Sequence, residues 1–476
     1  MSLQDPGRPG EDDLSLTFTG GAGTVTGSRY LVRCGEEQFL LDCGLFQGLK
    51  ELRLRNWADP PFDPRRLGAV VLSHGHLDHS GALPLLARRG FRGDVHCTSG
   101  TADLLGVVLR DSARLHEEDA ARANRYRYSK HSPALPLYTV EDAEVVLGLL
   151  RTHGYGERFS AGARASVLFR RAGHILGSAT VEVELEGTSP TRLVYSGDLG
   201  RWRRPILRDP ELVPEADVLL VESTYGDRFH APDPEEQLVR VISETAHRGG
   251  AVIVPAFAIG RAQELIWRLR KLEDAGRLPL ISVYLDSPMA IDVTEIYCRH
   301  PEDHDLVMQV LMDQKRCPLC SHQYHLVRTV EESKELGRRR GPMVIIAGSG
   351  MATGGRVLHH LKQRLPDHRN TVLLTGFQAA GTRGRALQEG ARTVRIHGED
   401  VPVQARVETV DGLSAHADQR ELRRWLGGFR RPPSRTYVVH GEAKAAATLA
   451  DVIARELGWQ VQVAADGAIV PLGVGR

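Results

Sequence analysis

The residues richest in chemistry are packed into nine positions, Ser73-His74-Gly75-His76-Leu77-Asp78-His79-Ser80-Gly81. An apolar run, Leu67–Ser73, reads as a strand that delivers this cluster to a loop. His74 and His76 stand two apart, so in extended chain they project to one side and can share one metal ion. Asp78 and His79 open the helical segment that follows, point elsewhere, and can serve a second metal close by. Gly75 and Gly81 allow the loop to turn tightly. Burying four such side chains in an ordinary core would carry a desolvation cost for each unless they were paired, whereas clustered His and Asp at a strand end suit a metal. Two adjacent metals need more ligands than one loop supplies. Further strand-to-loop junctions offer them: His174 in Ala172–Ser178, Asp198 after Tyr195-Ser196-Gly197, and His440 after Tyr437-Val438-Val439. A single His or Asp after a strand is ordinarily a satisfied turn residue; it is the co-occurrence with the first cluster that makes these candidates.

These junctions require many strands. Leu14–Thr19, Arg29–Arg33, Gln38–Asp42, Ala165–Phe169, Ala179–Leu185, Thr191–Ser196 and Val218–Glu222 alternate or run apolar between Gly-rich turns and read as strands; Ala82–Arg89 has helical spacing and Ala102–Arg125 reads as a long helix. Near residue 227 the texture changes to strand and helix in turn. Glu235–Arg248, Arg261–Ala275 and Gly355–Leu365 are expected helices, and Ala251–Pro255, Leu280–Leu285, Met343–Ala347 and Thr371–Thr375 expected strands. That alternation predicts an α/β fold with a parallel sheet. A strand-rich stretch at Val401–Val410, helix Gln419–Gly427, strand Thr436–His440 and helix Lys444–Glu456 complete the chain.

In the last strand-to-loop junction and the first cluster the chain resembles a known family. His74-x-His76-x-Asp78-His79 resembles the signature of the metallo-β-lactamase fold; Asp42, in Leu40-Leu41-Asp42-Cys43-Gly44, resembles its first motif, and His174 and Asp198 its third and fourth. Val221–Gly226, Ser414–Asp418 and Val439–Glu442 resemble motifs A, B and C of the β-CASP nucleases, and similarity of pattern runs from about residue 14 to 460. The resemblance implies an α/β architecture, an αββα sandwich with an inserted β-CASP domain of mainly parallel sheet: residues 1–226 and 409–476 forming the sandwich and 227–408 the insert. It implies two zinc ions, one held by His74, His76 and His174, the other by Asp78, His79 and His440, with Asp198 bridging. Asp42 is then expected to orient ligands, and Glu222 to pair with His416, which protonates the departing oxygen. The implied reaction is hydrolysis of RNA phosphodiesters by a hydroxide held between the metals, leaving 5′-phosphate and 3′-hydroxyl. In the family a His in motif C accompanies RNA processing, so His440 favours single-stranded RNA over DNA. Nothing in these motifs separates an endonuclease from a 5′→3′ exonuclease. A hydrolase of smaller esters or thioesters, or a DNA nuclease, would carry the same metal cluster; the Glu222/His416 pair and the insert argue against the former. A ligand-free scaffold is disfavoured because all seven expected ligands are present.

Weaker signals complete the reading. The Gly-rich loop Gly348–Gly355, with Ser349 and Gly350, follows a strand and precedes a helix, so its amides and nearby Arg356 are candidate phosphate contacts, as are Arg383 and Arg385. Cys317 and Cys320 have ligand-like spacing but lack the usual second pair at a distance, so an ordinary loop is expected there. The other four cysteines are isolated, consistent with reduced thiols. A net charge of +1 does not advertise nucleic-acid binding, although a local basic groove suffices. Only seven of the 61 basic residues are Lys; guanidinium forks suit phosphate, but codon bias explains the excess of Arg equally well. No apolar run has the length of a membrane span and the N-terminus has no signal pattern, so a cytoplasmic location is expected. A homodimer is compatible with the sequence, and no separate RNA-binding domain is expected.

Overall fold

A computed structural model describes residues 14–127, 129–187, 189–231, 234–314, 318–319, 324–410 and 412–473. Cys317 and Cys320 lie outside the described residues. Two seven-stranded sheets face one another. The first runs in the order Ile469–Pro471, Leu14–Gly20, Arg29–Cys34, Glu37–Leu41, Ala69–Val71, Asp94–Cys97 and Leu150–Thr152; the second runs Val461–Val463, Arg435–Val439, Val218–Glu222, Thr191–Tyr195, Ala179–Leu185, Ala165–Arg171 and Arg158–Gly162. Their inner faces interdigitate Leu16, Phe18, Tyr30 and Val32 with Val167, Phe169, Val181 and Tyr195, all buried. Tyr30 and Tyr195 meet edge to face at 5.1 Å between ring centroids, a geometry that adds to the area they bury. Helices cover both outer faces. Leu104 and Leu105 belong to the long helix Ser99–Tyr126, of which Leu105 and Leu109 pack on the first sheet with Leu83, Leu86 and Val146. Trp425 and Leu426, from helix Gln419–Leu426, pack on the second sheet with Leu449. The result is the expected αββα sandwich.

Each sheet is mixed, and the parallel portions matter most. Glu37–Leu41 pairs parallel with Ala69–Val71, with Leu41 opposite Val71. Thr191–Tyr195, Val218–Glu222 and Arg435–Val439 are mutually parallel, with Tyr195 opposite Leu220 and Glu222 opposite Val439. Parallel neighbours in register end together, so everything just beyond their carboxyl ends falls on one rim of the sandwich.

A third sheet lies between these halves in sequence. Its six strands, in the order Tyr324–Leu326, Ser282–Asp286, Met343–Ala347, Ala251–Pro255, Thr371–Leu374 and Arg406–Thr409, are parallel at every pairing. Its two central strands, Ala251–Pro255 and Met343–Ala347, are buried at every position, which is why they read as unbroken apolar runs. The Val401–Val410 stretch, expected in the insert as far as residue 408, contributes two strands there. Glu399–Pro402 forms a small hairpin with Thr393–Ile396, and Arg406–Thr409 closes the parallel sheet. Helices Pro288–Arg299, Leu306–Asp313 and Val330–Arg338 fill a stretch the sequence reading left without elements. Two of them announce their starts locally: Ser287 caps the first, with Pro288 in its first turn, and Thr329 forms a reciprocal capping box with Glu332 in the third. Among the described residues no helix is long and apolar enough to cross a membrane.

Candidate metal centre

The rim receives most of its chemistry-bearing side chains from the ends of strands. Asp42 follows Glu37–Leu41, and the His74–His79 loop follows Ala69–Val71. Asp198 follows Thr191–Tyr195, Glu222 ends its own strand and His440 follows Arg435–Val439. Asp42 and His440 adopt left-handed backbone, with φ of 58° and 45°, conformations that non-glycine residues hold only where the surroundings over-determine them. Gly44 permits the closest approach: a Cβ there would sit 1.6 Å from the Asp78 carbonyl oxygen. That glycine lets the chain after Asp42 lie flat against the His74–His79 loop, joined by Cys43 N–H to His79 O (2.7 Å) and Leu45 N–H to Leu77 O (2.8 Å).

Two sets of ligand-type atoms converge there. His74, His76, His174 and Asp198 can each place one such atom within 4.8 Å of the others, and so can Asp78, His79 and His440. In the first set His76 Nδ1 lies 3.1 Å from His74 Nε2 and 3.3 Å from His174 Nε2. The Asp198 carboxylate faces both sets. Its Oδ2 is 3.5 Å from the Nε2 atoms of His74 and His174, while its Oδ1 is 3.3 Å from His79 Nε2 and 3.6 Å from His440 Nε2. Asp78 Oδ2 stands 3.9 Å from the Nε2 atoms of both His79 and His440.

Whether these atoms suit a cation is answered by their partners. Ser73 Oγ donates its only proton to Asp42 Oδ2 at 2.7 Å, so its contact with His74 Nδ1 at 3.0 Å must be accepted from the ring. That leaves Nε2 of His74 as the lone-pair atom facing inward. His79 Nδ1 donates to Asp42 Oδ2 at 2.7 Å, which likewise turns its Nε2 toward Asp198. Tyr195 OH also donates to Asp42 Oδ2 at 2.7 Å, and the Ser73 N–H donates to Oδ1 at 2.7 Å. These contacts let Asp42 fix the tautomer of His79 directly and that of His74 through Ser73. Among the described residues His76 Nε2, His79 Nε2, His174 Nδ1 and Asp198 Oδ1 are buried without a hydrogen-bond partner. His79 Nε2 and Asp198 Oδ1 face each other at 3.3 Å and can pair, whereas His76 Nε2 and His174 Nδ1 are left without a partner, a cost that ligation by the other ring nitrogen would help to offset. The donor set fits zinc, which favours imidazole and carboxylate.

The electrostatics agree. Burial pulls the imidazoles of His74 and His174 well below the ordinary value, and those of His76 and His440 down to about 4, so all four are neutral at physiological pH as ligands must be. His79 is the exception. Burial opposes its proton, but Asp198 and Asp42 on either side outweigh that and hold it well above the ordinary value. Asp198 is opposed by its own burial, yet the surrounding His440, His79 and His416 keep it well below the usual carboxylate range. Burial raises Asp78.

Beside this centre stands a second pair. Glu222 is fully buried and accepts from the N–H groups of Leu199 (2.6 Å) and Thr224 (3.3 Å). Its oxygens lie 3.1 and 3.3 Å from His416 Nδ1. Burial would strip the His416 proton, but Glu222 and then Asp198 hold the imidazole up to about 9. Because Nδ1 is committed to Glu222, the Nε2–H is the one free to face a ligand. Glu222, His416 and Asp198 also lie close enough to hold a cation, but the direct His416–Glu222 contact fits an imidazolium–carboxylate pair better.

The expected phosphate contacts separate into two kinds. Phe257 lies against His76, with ring centroids 6.4 Å apart, and a Cβ on Gly350 would meet the Phe257 ring at 2.5 Å, so the Gly-rich loop sits one ring away from the ligands. Ser349 Oγ accepts from the N–H groups of Thr353 (2.9 Å) and Gly354 (3.3 Å) and so shapes that loop. The three arginines, by contrast, are engaged elsewhere. Arg356 donates to Asp286 Oδ1 (2.8 Å), Val327 O (3.0 Å) and Arg328 O (2.7 Å); Arg383 to the carbonyls of Arg395, Ala352 and Thr353; and Arg385 to Glu389 and Gln378 O. Arg383 holds the Gly-rich loop at Ala352 and Thr353, Arg356 ties the end of that loop to Asp286 and residues 327–328, and Arg385 bonds within its own helix and to Gln378. The sequence reading missed Ser73, Tyr195 and Ser28, whose Oγ lies 2.8 Å from His440 Nδ1. Their only local signal is adjacency to the motifs. Cys43 and Cys97, near the site in sequence, are buried thiols pushed up to about 12 by burial, so neither offers a thiolate.

Known proteins match this chain throughout. Residues 22–163 match the metallo-beta-lactamase superfamily, 262–387 the Beta-Casp domain, and 400–464 the Zn-dependent metallo-hydrolase RNA specificity domain. Ribonuclease TTHA0252 of Thermus thermophilus is 41% identical over 95% of this chain and 99% of its own. The transcription termination factor FttA of Methanocaldococcus jannaschii is 31% identical over 94% of this chain and 70% of its own. A solved structure of a protein of unknown function from Enterococcus faecalis V583 shares the fold at 13% identity, with a TM-score of 0.53 over 96% of this chain and all of that one.

Proposed function

The chain belongs to the metallo-β-lactamase superfamily, in its branch with Beta-Casp and RNA specificity domains, and from that premise we propose that it is a zinc-dependent ribonuclease that hydrolyses phosphodiester bonds of single-stranded RNA to leave a 5′-phosphate and a 3′-hydroxyl. The observation that carries this reading is the split of the Asp198 carboxylate, one oxygen toward His74 and His174 and the other toward His79 and His440. A carboxylate so placed would suit a bridge between two cations. In this reading His74, His76 and His174 would hold one zinc and Asp78, His79 and His440 the other, with Asp198 shared between them.

When bound, such a metal pair supplies an acidified water and neutralises charge growing on the phosphate. The protein's own groups do the rest. Asp42 keeps the His79 ring, and through Ser73 the His74 ring, in the tautomer that turns Nε2 inward. His416, protonated and steered by Glu222, presents Nε2–H toward the cleft, where it delivers a proton to the departing 3′-oxygen. Ser349 and Gly350, one ring from His76, offer backbone amides to the strand's phosphates; Arg383 contributes by holding that loop and Arg356 by anchoring its end. RNA rather than DNA is supported by the RNA specificity domain over 400–464, which contains both His416 and His440.

The reading is tested by elemental analysis of purified protein together with cleavage of end-labelled RNA and a matched single-stranded DNA. It expects two zinc ions per chain, cleavage of the RNA and 5′-phosphorylated products. One metal or none in active protein refutes the bridge; equal cleavage of the DNA refutes the substrate.

A further inference from the structure

His174 reaches the centre on the loop 172–178, and half of what holds that loop comes from the parallel-sheet domain. Ile175 and Leu176 are buried in a core shared with Ile259, Val293 and Tyr297 of that domain. The Leu176 N–H donates to the Tyr297 hydroxyl at 3.2 Å, and the Gly177 N–H donates to Asp303 Oδ2 at 2.8 Å. From the other side the sandwich grips the same residue: Thr98 and Thr101 hydroxyls donate to Gly177 O at 2.7 and 3.0 Å. Gly177 has φ of 74°, and a Cβ there would lie 2.3 Å from the Thr101 nitrogen, so the two domains meet through a backbone with no room to shift. Asp303 is buried, 4.0 Å from the Arg171 guanidinium of the sandwich, and Tyr297 is buried too. Neither reaches the ligand atoms, and neither has a part in the chemistry above.

We propose that Asp303 and Tyr297 are positioning residues for His174, so that the parallel-sheet domain helps to complete the metal centre. The physical reason is that an imidazole ligand binds only where its backbone is closely fixed: His174 and Ile175 donate their N–H groups to Ser178 Oγ within the loop, and the N–H groups two and three residues beyond His174, those of Leu176 and Gly177, take their acceptors from the other domain. Loosening that domain therefore loosens one ligand of one metal. The inference rests on His174 being a ligand.

The test measures zinc, not turnover: the rate at which zinc passes from the loaded protein to a chromophoric chelator, with thermal unfolding of each metal-free variant alongside. Asp303→Ala should release one zinc roughly 10–100-fold faster, the usual effect of removing a group that orients a ligand. Asp303→Asn keeps an acceptor for Gly177 and should release it nearly as the parent does. Tyr297→Phe, which removes one oxygen, should act in the same direction as Asp303→Ala and serves if the alanine variant fails to fold. Ser99→Ala, which deletes an exposed contact between the same domains (Ser99 Oγ to Glu302 Oε1, 3.1 Å) without removing an acceptor of Leu176 or Gly177, should leave release unchanged. His174→Ala should lose that zinc outright. If His174→Ala loses it while folded Asp303→Ala and Tyr297→Phe release at the parental rate, the positioning role is overturned. If Ser99→Ala speeds release as much as Asp303→Ala, the effect is general loosening and the role is likewise overturned. If His174→Ala retains both zinc ions, the ligand assignment falls, and this inference with it.

Discussion

In a His416→Ala variant the cleft loses the imidazole that Glu222 holds at 3.1 and 3.3 Å, and with it the Nε2–H aimed at the departing oxygen. Two unit charges about 3.2 Å apart interact by about 5 kcal/mol at an effective dielectric of 20, enough to keep the imidazole protonated against its burial. A ribose 3′-oxygen leaves poorly without a proton, so deleting the donor should slow RNA cleavage about 10²–10⁴-fold, or roughly 3–5 kcal/mol of barrier. An aryl phosphodiester such as bis(p-nitrophenyl) phosphate releases a stable phenolate that needs no proton, and its hydrolysis should fall by less than about tenfold. The assay is therefore a ratio: RNA cleavage over aryl ester hydrolysis for parent and variant, at metal content verified by elemental analysis. Glu222→Gln keeps an acceptor near Nδ1 but removes the charge, and should fall between the two. Equal loss on both substrates with metal intact would mean His416 positions the phosphate and donates nothing. Loss of metal would mean that it is a ligand, as the closeness of Asp198, Glu222 and His416 would then have indicated.

Asp198→Ala should lower RNA cleavage about a thousandfold, roughly 4 kcal/mol, with the fold intact, because it lies on the rim and not in the sandwich core; near-parental cleavage would end the bridging role. Glu264 offers a pH test that needs no metal. It opposes its own burial through Arg204, Arg261 and Arg268, which hold it down to about 2. A carboxyl depressed below its unfolded value near 4.5 lends stability that is full above that value and lost as pH falls toward 2. Urea midpoints of the parent should accordingly drop more steeply than those of Glu264→Gln between pH 4.5 and 2, and parallel curves would refute the coupling. Trp425, fully buried between its helix and the second sheet with its indole N–H on Glu211 O at 3.0 Å, should cost about 3–5 kcal/mol of stability when changed to Ala, read by denaturant unfolding.

The buried parallel strands were legible because unbroken apolar runs such as Ala251–Pro255 and Met343–Ala347 follow from burial on both faces. Helix Leu306–Asp313 was not, being only eight residues long, and Pro288–Arg299 was not assigned although Ser287 and Pro288 mark its start. Val401–Val410 was expected in the insert as far as residue 408, but the strand it would pair with was not legible. A strand pattern states that one face is buried, but not which sheet buries it, and Arg406–Thr409 joins the parallel sheet only because Thr371–Leu374 offers an unpaired edge.

Chemistry-bearing residues divide along the same line. Residue type and close spacing by themselves determined the His74–His79 cluster, because ligands two to five positions apart must share a loop whatever the fold does. They also determined that more ligands had to exist, because two metals cannot be held by one loop. Which atoms face which was decided only in three dimensions. Asp42 and Ser73 set the tautomers from strands 31 residues apart, Glu222 meets His416 across 194 residues, and Ser28 meets His440 across 412. Arg356, Arg383 and Arg385 look like phosphate forks in sequence and become braces in space, because the nearest carboxylates and carbonyls claim their donors first. Dependence of the His174 loop on Asp303 and Tyr297 has no sequence signal at all: it arises where two separately folded layers meet, and only their packing brings a carboxylate within hydrogen-bond reach of Gly177.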